Sequence, residues 1–269
     1  MQTNLTFSSI FNQTTNFIRN RFWLIIIVSI IIGLFHVSIT NYFMNNEAIE
    51  QLSNTRDTSV VFSSMLKMAS VLIFSSLIII SVNIATIYNL SINDKFNINI
   101  LLSKSVSSLI KVLGFNIIYM FIVLFIALFF SLIFFVLQMI VPTLGAIIAI
   151  LFMVGLMLLM VTVYFFFIGS IINPSTKSFI QLFMQSHQLA KQYWQLGCLM
   201  IIINIICMII LSALAMTYKE NNFILDFILA TVSNLVDIFV ICFFYRLTQL
   251  ISDNETNLIE NNPNNNLIL

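Results

Sequence analysis

The stretch VLGFNIIYMFIVLFIALFFSLIFFVLQMIVPTLGAIIAILFMVGLMLLMVTVYFFFIGSIINPST, residues 112–176, runs from Lys111 to Lys177 without one Asp, Glu, Lys or Arg. About 20 apolar residues cross the hydrocarbon core of a bilayer, so this run is too long for a single span. Near its middle, Val141-Pro142-Thr143-Leu144-Gly145 has the residues of a turn between two helices. The stretch therefore reads as a transmembrane hairpin with almost no loop.

The composition extends that reading to the whole chain. Hydrophobic residues make up 60% and charged residues 8%, and mean hydropathy is +1.04, whereas globular domains carry about 25% charged residues. No polar segment is long enough to fold as a soluble domain. Residues 1–251 are expected to form one integral membrane domain, and residues 252–269 a polar, Asn-rich, disordered cytoplasmic tail. The net charge of +1 comes without any basic block, which argues against a nucleic-acid partner. Cys198, Cys207 and Cys242 all lie in apolar runs and read as small hydrophobes, neither a disulfide frame nor a metal site. No cofactor or metal is expected.

Six apolar segments are long enough to cross: about 22–43, 68–90, 112–140, 144–171, 196–217 and 223–245. The first is too long for a signal-peptide core and no A-x-A site follows it. Loop charges orient the set. Arg19, Arg21, Lys95, Lys104, Lys111, Lys177, Lys191 and Arg246 fall on one side; Arg56, Lys67 and Lys219 fall on the other. Both termini are therefore expected in the cytoplasm.

The expected fold is all-α: a polytopic bundle of six transmembrane helices with three cytoplasmic interfacial amphipathic helices. Phe7, Ile10, Phe11, Phe17, Ile18 and Phe22 recur at helical spacing before the first span. Ile98, Leu102, Val106, Leu109 and Leu113 do so before the third. Phe179, Phe183, Ala190 and Trp194 do so before the fifth, where Asn173-Pro174 reads as the helix start. Such stripes lie apolar face down in the headgroup plane. Interfacial helix, span out and span back, repeated three times, would be a threefold parallel repeat about the membrane normal.

Thr15-Asn16-Phe17-Ile18-Arg19-Asn20-Arg21-Phe22, Val141-Pro142, Ser233-Asn234-Leu235 and Tyr245-Arg246-Leu247, in that order and spacing, resemble the YciC family of uncharacterised bacterial (gammaproteobacterial) inner-membrane proteins. The resemblance extends to about Ile251 and implies six spans in the bacterial inner membrane. It brings no catalytic residues. Asp237, the first outer loop and the tail depart from the family pattern.

Ionisable groups inside a span are functional candidates by default. Asp237 lies about three residues, or ~4 Å, inward of the middle of the sixth span. Insertion there costs roughly 2.5–3.5 kcal/mol unless the group is neutral, paired or wet. Asn204 and Asn83 are expected at similar depth, with Asn234 one turn from Asp237. Together these four form a candidate intramembrane polar cluster, for which interhelical hydrogen bonding is a sufficient structural role. His36 falls roughly 9 Å from Asp237 in height and lacks companions for a metal site. Asp226 and Lys67 read as interface anchors.

No G-x-S-x-G, H-E-x-x-H or P-loop occurs, and no span carries paired carboxylates, so a non-enzymatic role is expected. The reading is a multi-pass inner-membrane protein serving envelope organisation through membrane lipids and other inner-membrane proteins. The alternative is a transporter or channel for a small solute or lipid, with Asp237 as its proton or cation site.

Overall fold

The computed structural model describes residues 5–43, 58–92, 96–173, 177–217 and 222–260. Among them every regular element is an α-helix: α1 Phe7–Asn20, α2 Phe22–Phe43, α3 Thr58–Ile92, α4 Ile98–Ile140, α5 Pro142–Ile172, α6 Phe179–Thr217 and α7 Phe223–Glu260. Six of these, α2 to α7, are long and apolar enough to cross a membrane. The chain is thus all-helical, with the composition and helix lengths of a multi-pass membrane protein. The first outer loop expected from the sequence falls within 44–57, outside the described residues.

Helix boundaries follow local chemistry. Thr6 Oγ1 accepts the Ser9 N–H at the start of α1. Asn97 Oδ1 accepts the N–H groups of Asn99 and Ile100 at the start of α4, and Asn222 does the same for Ile224 and Leu225 at the start of α7. Ser178 and Gln181 exchange bonds, Ser178 N–H to Gln181 Oε1 at 2.9 Å and Gln181 N–H to Ser178 Oγ at 3.4 Å. That reciprocal pair is a capping box. It places the start of α6 at Phe179, later than the Asn173-Pro174 expected; residues 174–176 lie outside the described set.

Between α4 and α5 the break is a single residue, shorter than the expected turn. Val141 has φ −141 and ψ 88, the extended conformation that a following proline imposes. Pro142, which has no N–H to leave unpaired, opens α5 at its first position.

Two other boundaries differ from expectation. The amphipathic stripe at 98–111 is the start of α4, whose 43 residues continue unbroken to Ile140. At 1.5 Å per residue α4 extends about 65 Å, twice the ~30 Å hydrocarbon core. No proline interrupts it, so nothing local ends the helix at the membrane surface. By contrast α6 departs from helical geometry at Tyr193 (φ −119, ψ 27), where the interfacial segment was expected to give way to a span. Helix α7 continues through Glu260, so that part of the expected tail is helical; 261–269 lie outside the described residues.

Packing divides the chain into two compact units. One comprises 14–109 and 204–240; the other comprises 1–13, 110–203 and 241–269. In the first, α2 buries Ile25, Val28, Ser29, Ile32, Gly33 and Val37, a single stripe at helical spacing. At Gly33 helices α2 and α7 approach closely: an added Cβ would collide with Thr231 Oγ1 and stand 3.1 Å from the Thr231 nitrogen. Asn89 clips the end of α3 to the start of α4, donating to Asn97 C=O at 2.7 Å and accepting the Asn97 N–H at 3.3 Å.

The second unit is aromatic at its centre. The rings of Phe130 and Phe152 lie 4.0 Å apart and those of Phe115 and Phe167 4.5 Å, so α4 and α5 run antiparallel as the hairpin expected from the 112–176 stretch. Phe166, Phe167, Phe243 and Phe244 are fully buried. A Cβ on Gly169 would come within 2.6 Å of Phe244 C=O, so only glycine allows this approach of α5 to α7.

Candidate functional site

Three buried polar residues of the first unit meet in one layer across three helices. Asn83 of α3 donates from Nδ2 to Asn234 Oδ1 of α7 at 2.9 Å. Asn234 donates in turn from Nδ2 to Ser29 Oγ of α2 at 3.2 Å. Ser29 and Asn83 are fully buried and Asn234 nearly so. Both ends of the Asn234 amide are thus engaged. Asn83 Oδ1 is buried and, among the described residues, meets no donor; an unpaired buried acceptor of this kind costs about 1–3 kcal/mol.

Of the four residues expected to cluster, the structure brings together Asn83 and Asn234. Asp237, one turn along α7 and partly buried, makes no hydrogen bond or ion pair among the described residues. Asn204 sits on α6 among Ile205, Met208 and Ile209, beside a shallow apolar groove, and its Oδ1 also meets no donor there. Depth estimates put these residues at one level but are blind to rotation about each helix axis, which decides which side chains face one another.

Ser29 was not anticipated. A serine on a span is too common to notice alone, yet Ser29-x-x-x-Gly33 is a pair of small residues one turn apart, the pattern that lets helices approach closely. It lies on the face where α2 meets Asn234 and Thr231.

Next to the layer, a cavity of about 280 Å³ is lined from α2 by His36 and Thr40, from α6 by Met208 and Ser212, and from α7 by Asp226 and Ser233. Ser233 donates to Met208 Sδ at 3.4 Å. The seven-residue step from Asp226 to Ser233 spans about 10 Å along α7, so the cavity reaches from the helix ends toward the level of Asn234. His36 and Asp226, the latter read from the sequence as an interface anchor, thus line the same cavity.

No protein-family model, curated protein or solved structure matches the chain.

In the second unit the polar contact of note joins α4 to α6. His187 Nδ1 lies 2.8 Å from Phe183 C=O, an acceptor only, so Nδ1 carries the hydrogen. In the neutral ring Nε2 is then the acceptor, and Tyr119 donates its hydroxyl to it at 2.9 Å. The Tyr119 ring stacks on Phe115 at 4.4 Å, and His187 packs 4.6 Å from Phe183. Among the described residues no three His, Cys, Asp or Glu side chains group as metal ligands would. Thr162 Oγ1 and Cys198 Sγ lie 3.5 Å apart, and Cys242 is buried.

Proposed function

We propose that this chain is a non-enzymatic scaffold of the bacterial inner membrane, in the manner of the YciC family, organising the envelope through lipid and protein partners. The observation that carries this reading is the Ser29–Asn234–Asn83 layer. Its central amide is spent on joining α2, α3 and α7, which is what polar glue between membrane helices does. In this reading both termini are cytoplasmic. The amphipathic segments 7–20, 98–111 and 179–193 meet the inner interface, and three hairpins repeat one unit. The helix breaks at Arg21 and Tyr193 favour that arrangement for the first and third segments. For the second it rests on the sequence pattern, because α4 is unbroken there.

The second reading, a small-solute or lipid transporter, draws on Asp237, a partly buried carboxylate without a partner among the described residues, and on the neighbouring cavity. Asp237→Asn separates the two. A neutral amide keeps the size and polarity of the site, so the variant is expected to fold under either reading. A scaffold retains its complementing activity in cells lacking the wild-type chain. A folded but inactive Asp237→Asn protein in that assay, or in a pH-dependent flux measurement, would sink the scaffold reading in favour of proton-coupled transport.

A further inference from the structure

The joint between α1 and α2 is one residue, Arg21, and that residue is fixed at both ends. Its backbone N–H returns to Ile18 C=O at 3.1 Å. Its Nε donates to Leu90 C=O, in the last turn of α3, at 2.7 Å. The guanidinium carbon stands 4.6 Å above the Phe17 ring. One of the five guanidinium N–H groups is therefore committed. The other four, on Nη1 and Nη2, meet no acceptor among the described residues.

That planar fork borders a cavity of about 470 Å³, lined also by Arg19, Asn20, Phe22, Trp23 and Leu90. Among the described residues no carboxylate lines it. Phe22, Trp23 and Leu24 form the first turn of α2, whose N–H groups have no intrahelical acceptors and whose end carries the positive pole of the helix dipole. Trp23 is 75% exposed. A tryptophan at the end of a membrane span sits at headgroup level with its ring against the upper acyl chain.

We propose that this cavity binds the phosphate of an anionic phospholipid headgroup, gripped by the free fork of Arg21 with Arg19 as second cation, while Trp23 packs on the lipid's glycerol and acyl region. A pre-positioned guanidinium suits bidentate recognition of phosphate. A cavity of this size takes more than a phosphate ion, and its apolar wall favours a lipid over a free anion. The inference rests on α2 being a membrane span and is independent of whether the protein scaffolds or transports, which the Asp237→Asn assay decides.

The chain has two tryptophans, so Trp194→Phe leaves Trp23 as the only one. The full-length Trp194→Phe protein would be reconstituted into phosphatidylcholine bilayers containing brominated phosphatidylglycerol or, in equal proportion, brominated phosphatidylcholine. Quenching of Trp23 is expected to be stronger with the brominated phosphatidylglycerol. Arg19→Gln, at an exposed position, should weaken that preference without disturbing the fold. Arg21→Gln should abolish it, a drop in relative affinity of roughly 10- to 100-fold from lost hydrogen bonds to charged groups. Arg21→Lys retains the charge but not the fork and should restore only part.

Equal quenching by the two lipids in the parent protein would overturn the proposal, as would a preference that survives both glutamine variants. Loss of the preference on adding inorganic phosphate would assign the site to the free ion instead. A preference that emerges only with Asp94→Asn would mean that the chain's own carboxylate, four residues beyond Leu90, competes for the cavity, and would likewise overturn it.

Discussion

Removing the Asn234 side chain should weaken the first unit more than removing any other member of the polar layer. Asn234→Ala deletes two interhelical bonds, one to Asn83 at 2.9 Å and one to Ser29 at 3.2 Å. Such bonds between membrane helices average ~0.6 kcal/mol and reach about 1.7 kcal/mol, so the expected loss is about 1–3 kcal/mol. Asn83→Ala deletes one bond and at the same time removes the buried, unpaired Asn83 Oδ1. Relief from that orphan acceptor opposes the loss, so Asn83→Ala should cost less than Asn234→Ala although the same atoms are cut away. In a double-mutant cycle the volume terms largely cancel, and the coupling between positions 83 and 234 should be about 0.6–1.7 kcal/mol. The measurement is reversible unfolding of the full chain in bicelles, read by steric trapping. Additivity of the two substitutions within ~0.3 kcal/mol, or a larger cost for Asn83→Ala than for Asn234→Ala, would refute the layer as described.

Three further outcomes are expected. Gly33→Ala should destabilise by about 1–3 kcal/mol, the cost of overpacking, because its Cβ meets the Thr231 backbone, whereas Gly155→Ala, with nothing within 4 Å, should cost nothing in the same assay. Tyr119→Phe keeps the ring stack on Phe115 but leaves His187 Nε2 without its partner; a loss of about 0.5–1.5 kcal/mol is expected, and wild-type stability would exclude that hydrogen bond. With the three native cysteines replaced, a cysteine at Gln51 should react with an impermeant thiol reagent from outside and one at Ser105 only from inside; the reverse pattern would invert the proposed topology.

Much of the fold was legible because hydropathy is a local property. The charge-free run from Val112 to Thr176 required two helices and a turn, and Pro142 placed that turn within a residue of where it occurs. The change of geometry at Tyr193 was foreshadowed by the stripe that ends at Trp194. The 98–111 stripe misled, since an amphipathic segment has the same pattern whether it ends at the interface or continues into a span. With no proline between Ile98 and Ile140, backbone hydrogen bonding carried the helix through. Gln181, three residues after Ser178, carries the capping-box spacing, a local signal for the start of α6 that Asn173-Pro174 does not supply.

The candidate site was only half legible. Asn83 and Asn234 stood out because polar side chains in apolar helices must find partners, and their depths agreed. Depth, however, is one coordinate of three. That Asn234 meets Asn83 and Ser29 depends on the rotation of α7, to which its close approach to α2 at Gly33 contributes. By itself the sequence determined that the chain is helical and that six segments can cross a membrane, because backbone satisfaction and hydrophobicity act along the chain. Only the tertiary structure decided which polar groups meet, that Arg21 is pinned to Leu90, and that His36 and Asp226 share a cavity. Those depend on packing between helices distant in sequence, and side-chain volume fixes that packing only once the helices are side by side.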